Sequence, residues 1–138
     1  MKSGLRVVLA GLTGVVTAGV VVAIVEAVGH MVYAPASAAD LSTPEAMAAF
    51  VRTLPLGAFL FVLAAYVAGT AAGGFIATLV ARRHAARFAW VIGSLILVGA
   101  VVNFFAIPHP AWFVVATVVA VPLTAWLTGR AGQALEPA

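Results

Sequence analysis

Four apolar runs alternate with short polar interruptions along the chain, and that pattern predicts most of the fold. After Lys2 and Arg6, the sequence is apolar from Val7 to about Val25, and the same run continues through Glu26 and His30 to Tyr33. Comparable runs cover residues 54–81, 88–107 and 111–128. A helix needs about 20 mostly apolar residues to cross a bilayer, so each run predicts a membrane span, the first over residues 5–33. No stretch alternates apolar and polar residues in the manner of a membrane barrel. Backbone groups in hydrocarbon must then be satisfied within helices. The expected fold is all-α, a polytopic membrane protein built as a four-transmembrane-helix bundle in a single membrane domain, residues 1–138.

The interruptions differ in kind. Arg82-Arg-His-Ala-Ala-Arg87 is a basic turn, and Pro108-His-Pro110 is a very short one. Residues 34–53 form the one long loop, which Pro35 opens by ending the first helix. Within it, Ser42-Thr-Pro-Glu45 has the pattern of a capping box, with Glu45 placed to reach back to the Ser42 amide. It predicts a short helix over residues 44–53, lying at the membrane surface in the first outer loop. Met47, Phe50, Val51 and Leu54 would form its apolar side.

Small residues mark where helices should touch. Ala65, Gly69, Gly73 and Ala77 recur every four residues in the second span, and such stripes let helix backbones approach closely in lipid. This stripe serves either inside the bundle or as the interface of a homo-oligomer. In the third span Gly93, Ile96, Ala100 and Asn103 have the 3–4–3 spacing of a packed seam. In the fourth, Ala116, Ala120 and Thr124 form the expected ridge, Pro122 introduces a bend, and Gly129-Arg130 ends the helix. Tyr66, near the middle of its span, should donate its hydroxyl to a neighbour.

Composition strengthens the membrane reading. The 138 residues are 64% hydrophobic and 8% charged, against about 45–50% and about 25% in soluble domains. Cysteine is absent, which excludes disulfides and thiolate chemistry. The net charge of +3 is no nucleic-acid signal, because the seven basic residues are scattered and form no patch. They report topology instead. Lys2, Arg6, Arg82, Arg83, Arg87 and Arg130 fall on one side of a four-span chain, and Arg52 falls on the other with Asp40 and Glu45. The positive-inside rule then puts both termini in the cytoplasm of a bacterial inner membrane. Tyr33 and Trp112 fit the outer boundary, Trp90 and Trp126 the inner one. Ala36-Ser-Ala38 resembles a signal-peptidase site, but the first apolar run is longer than the roughly 7–15 residues of a signal sequence. That run is expected to remain as a span.

Candidate chemistry gathers at the outer end. Glu26 and His30 are four residues apart, so they share one helix face at a separation of about 6 Å. A carboxyl group at membrane depth costs about 2.5–3.5 kcal/mol on insertion scales. Gly19 and Ala23 precede Glu26 and His30 by seven residues and suggest that this face turns inward. Asn103 and His109 reach the same level from the third span and the turn after it. Ionisable groups inside a membrane are functional candidates by default. The cluster Glu26, His30, Asn103 and His109 is therefore a candidate site for a small ligand, a proton or an ion. The bland alternative is that these groups only staple the bundle by hydrogen bonding, or that the protein is an accessory or structural subunit acting through helix contacts. Glu26, His30 and His109 are the candidate set for a transition metal, although E-x-x-x-H with one distant histidine is sparse for that purpose. A membrane-embedded enzyme would need a nucleophile or an activated water, and no serine, cysteine or acidic pair is placed to supply one. No cofactor is expected. The expected partners are the lipid bilayer and either a second copy of the chain or partner helices, with no nucleic acid.

Glu26-Ala-Val-Gly-His30, Tyr33-Ala-Pro35, Gly73-Gly74, and Asn103 ahead of Pro108-His-Pro-Ala-Trp112 together resemble small four-span bacterial membrane proteins of uncharacterised function. The resemblance covers nearly the whole chain. It implies four helices and an inner-membrane location, and it implies no activity.

Overall fold

The computed structural model describes residues 3–33 and 42–136, and these are helical apart from short connections. The helices are α1 (Ser3–Val32), α2 (Pro44–Thr53), α3 (Leu56–Ala81), α4 (Ala85–Ala106) and α5 (Ala111–Gln133). All but α2 are long and apolar enough to cross a membrane. At about 1.5 Å per residue, even the 22 residues of α4 reach about 33 Å, which exceeds a hydrocarbon core of about 30 Å. The fold is therefore all-helical, with four helices that could span a membrane.

α3 is the hub. It packs against α1 on one side and against α4 and α5 on the other, while α1 meets α4 only briefly and does not reach α5. The reason lies in the stripe Ala65, Gly69, Gly73 and Ala77, which is buried along its length. It faces a matching stripe on α1, where Ala10, Gly14 and Ala18 are buried. A Cβ on Gly73 would lie 2.6 Å from the Gly14 carbonyl oxygen, and one on Gly14 would lie 2.7 Å from the Ala77 Cβ. The two backbones can come this close only because those side chains are missing. The stripe is thus occupied within the chain.

The inward face of α1 is not the one that Gly19 and Ala23 suggested. Both are exposed, and nothing lies within 4 Å of a Cβ built on Gly19. Contact runs through Ala10, Gly14, Ala18 and Val22 to Gly29. Glu26 comes eight residues after Ala18, which at about 100° each puts it about 80° round the helix, on the shoulder of the contact. Counting back in sevens from a shoulder residue traces the shoulder.

α4 and α5 close the other side of α3 in the same way. Cβ atoms on Gly93 and Gly132 would lie 2.7 Å from the Ala125 Cβ and 2.8 Å from the Ala85 Cβ. On α4 the expected seam holds, with Gly93 and Ala100 buried and Ile96 and Asn103 partly so. On α5 it is displaced by one position: Phe113, Thr117, Val121, Ala125 and Gly129 are buried, whereas Ala116, Ala120 and Thr124 are only partly covered. Two adjacent rows of small residues compete on this helix, and packing selects the one that includes Gly129. For the same reason α5 does not end at Gly129-Arg130. Both Gly129 and Gly132 serve close helix contact, and the helix continues through them to Gln133, passing Pro122 within it.

Polar side chains tie down the basic end. Arg6 Nε donates to the Val80 carbonyl oxygen at 3.0 Å, joining the start of α1 to the end of α3. A cation there also complements the negative end of the α3 dipole. In the turn between α3 and α4, Arg82 and His84 both adopt left-handed backbone, with φ of 59° and 61°. The Ala85 amide donates across the fold to Glu136 Oε1 at 2.6 Å, so a residue beyond α5 caps α4.

α2 begins at Pro44 and ends at Thr53, as its sequence predicts, but its cap differs. Thr43, not Ser42, is the N-cap, and its hydroxyl accepts from the Ala46 amide at 3.2 Å. A residue preceding proline is driven to extended backbone, and Thr43 has φ −107° and ψ 147°. With Pro44 as the first helical residue, the cap must be its immediate neighbour. α1 ends at Val32, so Pro35 falls just past its end in the sequence.

Candidate functional site

Opposite the basic end, α1 finishes, α3 starts and α4 finishes, and α2 lies across them. Val51 of α2 is buried in one apolar cluster with Phe59, Tyr66 and Phe113, with Met47 and Leu54 packed against it. Beneath α2 is an open cleft of about 360 Å³. Glu26, His30, Asn103 and His109 all line it. The four candidate residues come from α1, from α4 and from the turn after α4, and the fold brings them to one cavity. Glu26, Asn103 and His109 are half-buried, and His30 is exposed.

α1 holds Glu26 and His30 one turn apart, close enough for their charges to interact. Across from them, Asn103 of α4 lies near enough to the Tyr66 hydroxyl of α3 for their polar groups to interact, and Glu26 lies within electrostatic reach of it. The Tyr66 hydroxyl thus has polar neighbours on both sides. α1 and α4 hardly touch, and α3 fills the gap between them with this tyrosine.

His109 is fixed differently. Its Nδ1 lies 2.6 Å from the Ile107 carbonyl oxygen. A carbonyl only accepts, so Nδ1 carries the proton and donates. The ring stacks on Phe113 with centroids 5.3 Å apart and planes 18° from parallel. Phe104 and Phe59 meet it edge-on at 5.2 and 6.4 Å. Trp112 packs edge-on against Phe59 and Phe113. Pro108-His-Pro110 therefore does more than turn the chain, since it seats an imidazole in an aromatic cluster at the rim of the cleft.

Several wall residues were not assigned to the site from sequence. Tyr33 lies three residues after His30 and seven after Glu26, so helical spacing alone could have found it. It packs edge-on against Phe61 at 5.8 Å, and its hydroxyl rests against Gly57 at the start of α3. Phe59, Phe61 and Val62 carry no comparable signal, because they look like any other apolar residues of a span.

The metal candidates are not assembled. Among the described residues no group of three or more histidine, aspartate or glutamate side chains is disposed to hold a metal ion, so Glu26, His30 and His109 form no such set. A second cavity of about 380 Å³ lies at the basic end between Thr78, Leu79, Arg82, Leu135 and Glu136, away from all four candidates.

The architecture and the site together define an all-helical bundle with four helices that could span a membrane and, at one end, a largely apolar cleft that holds a few polar side chains. No protein-family model, curated protein or solved structure matches the chain.

Proposed function

We propose that this is a small inner-membrane protein that binds or conducts a small ligand, proton or ion through an outward-facing cleft formed around Glu26, His30, Asn103 and His109. Both termini lie in the cytoplasm in this reading, so the basic end faces inward and α2 rests on the outer surface. Six of the seven basic residues then obey the positive-inside rule. The observation that carries the reading is convergence: four polar residues from three segments share one cavity of about 360 Å³. That volume falls in the range of about 300–1,000 Å³ typical of ligand pockets. Groups that merely stapled helices would be engaged with one another and closed off, yet here they line an open space.

The accessory-subunit alternative loses the surface that the sequence offered it, because the small-residue stripe of α3 is covered by α1. The test of the cleft is Glu26→Gln. The variant should insert and fold like the wild type, yet lose the protein's effect in any growth or flux assay in which deletion is detectable. Wild-type behaviour in that assay would remove the proposal.

A further inference from the structure

We infer that the ligand of this cleft is a small protonated organic amine with an apolar body. The inference rests on the cleft being a binding site and adds the chemistry of what it takes. Among the described residues, Glu26 is the sole acidic residue lining the cleft, and no lysine or arginine lines it. His109 spends its Nδ1 proton on the Ile107 carbonyl oxygen. Where Nε2 carries no proton, its lone pair accepts a hydrogen bond. Asn103 adds an amide that can both donate and accept. Two acceptors thus stand in a space walled by Met47, Phe50, Phe59, Phe61 and Val62.

This inventory discriminates between ligand classes. An anion would meet Glu26 and find no lysine or arginine among the described lining residues. A wholly apolar ligand would cover Glu26 and His109 and leave both acceptors unpaired, at a cost that buried polar groups do not tolerate. A metal ion lacks its ligand set. An ammonium group pairs with the Glu26 carboxylate, and aromatic ring faces attract cations, so an amine with an apolar tail matches both the acid and the apolar walls of the cleft. The cleft's volume, near the small end of ligand pockets, suits a compact arylalkylamine.

The natural absence of cysteine makes the test direct. Ala58 and Val62 both line the cleft. Ala58→Cys, and separately Val62→Cys, are placed in the full chain in lipid nanodiscs near pH 8, where thiols react. Each is modified with the cationic aminoethyl and the anionic sulfonatoethyl methanethiosulfonates, and each rate is divided by that for mercaptoethanol. The cationic reagent should be favoured by about fivefold or more, the order expected of one nearby charge in a partly screened site. Glu26→Gln in the same background should abolish the preference. Phenylbutylamine should slow modification, and phenylbutanol, its neutral counterpart, should not. Equal normalised rates, or equal protection by amine and alcohol, would overturn the amine and leave an open cleft. If neither cysteine reacts with either reagent, the cleft is closed and the binding-site reading falls with it.

Discussion

Two sets of threonine hydroxyls in this bundle contrast. Thr13, Thr78 and Thr124 donate to the carbonyl four residues earlier, at 2.8–2.9 Å. Thr70 and Thr117 are fully buried, and their hydroxyl oxygens have no partner. An unpaired buried hydroxyl opposes folding by about 1–3 kcal/mol, and an apolar group of the same shape removes that term. Thr117→Val should therefore stabilise the protein by about 1 kcal/mol, read as a rise in the denaturant midpoint in detergent. A loss of stability would mean that the hydroxyl has a partner after all. The residue scale also explains the site. Glu26 and His30 were legible in the sequence because charge is rare in a span, and Asn103 and His109 because polar groups near a turn stand out. Phe59 and Phe61 were not, since in a lipid-solvated chain an apolar residue looks the same facing lipid or facing a ligand.

At the scale of elements, the seam between α1 and α3 carries the fold's specificity. Lipid tails are as apolar as leucine, so helices here associate through close packing rather than through burial. Gly73→Leu would place a side chain where a Cβ alone lies 2.6 Å from the Gly14 carbonyl oxygen and 2.7 Å from the Ala18 Cβ. Neither obstacle is a flexible chain end. The substitution should destabilise by about 3 kcal/mol or more, and an engineered disulfide or spin-label pair across α1 and α3 should report their separation. Gly19→Leu, on the exposed face of α1, should leave the seam intact. The sequence identified the four spans, α2 and the α3 stripe because length, proline and glycine spacing are local signals. It misplaced the inward faces of α1 and α5 because every face of these helices is apolar, and only contact with a neighbour distinguishes one from the next. The cap of α2 was misassigned by one residue because Pro44 outweighs the capping-box spacing.

For the whole molecule, the arrangement is lopsided. α3, α4 and α5 pack against one another, while α1 joins them almost entirely through α3. Glu26 and His30, half of the candidate cluster, therefore sit on a helix held almost entirely by one neighbour, whereas Asn103 and His109 belong to α4 and the turn after it, within the part where three helices pack against one another. Loss of the α1–α3 seam should abolish any activity of the cleft even if α3, α4 and α5 keep their fold, and helical content with and without Gly73→Leu would separate the two effects.

That lopsidedness has a consequence for how the protein can be divided. If the chain is interrupted between Tyr33 and Ser42 and the halves are synthesised separately, the first hydrophobic segment should find the remainder in the bilayer and restore a full-length-like complex. Its recovery by affinity capture of the larger fragment, and its failure to co-purify when Gly73 is enlarged, would show that complementary backbone grooves alone are enough to assemble it.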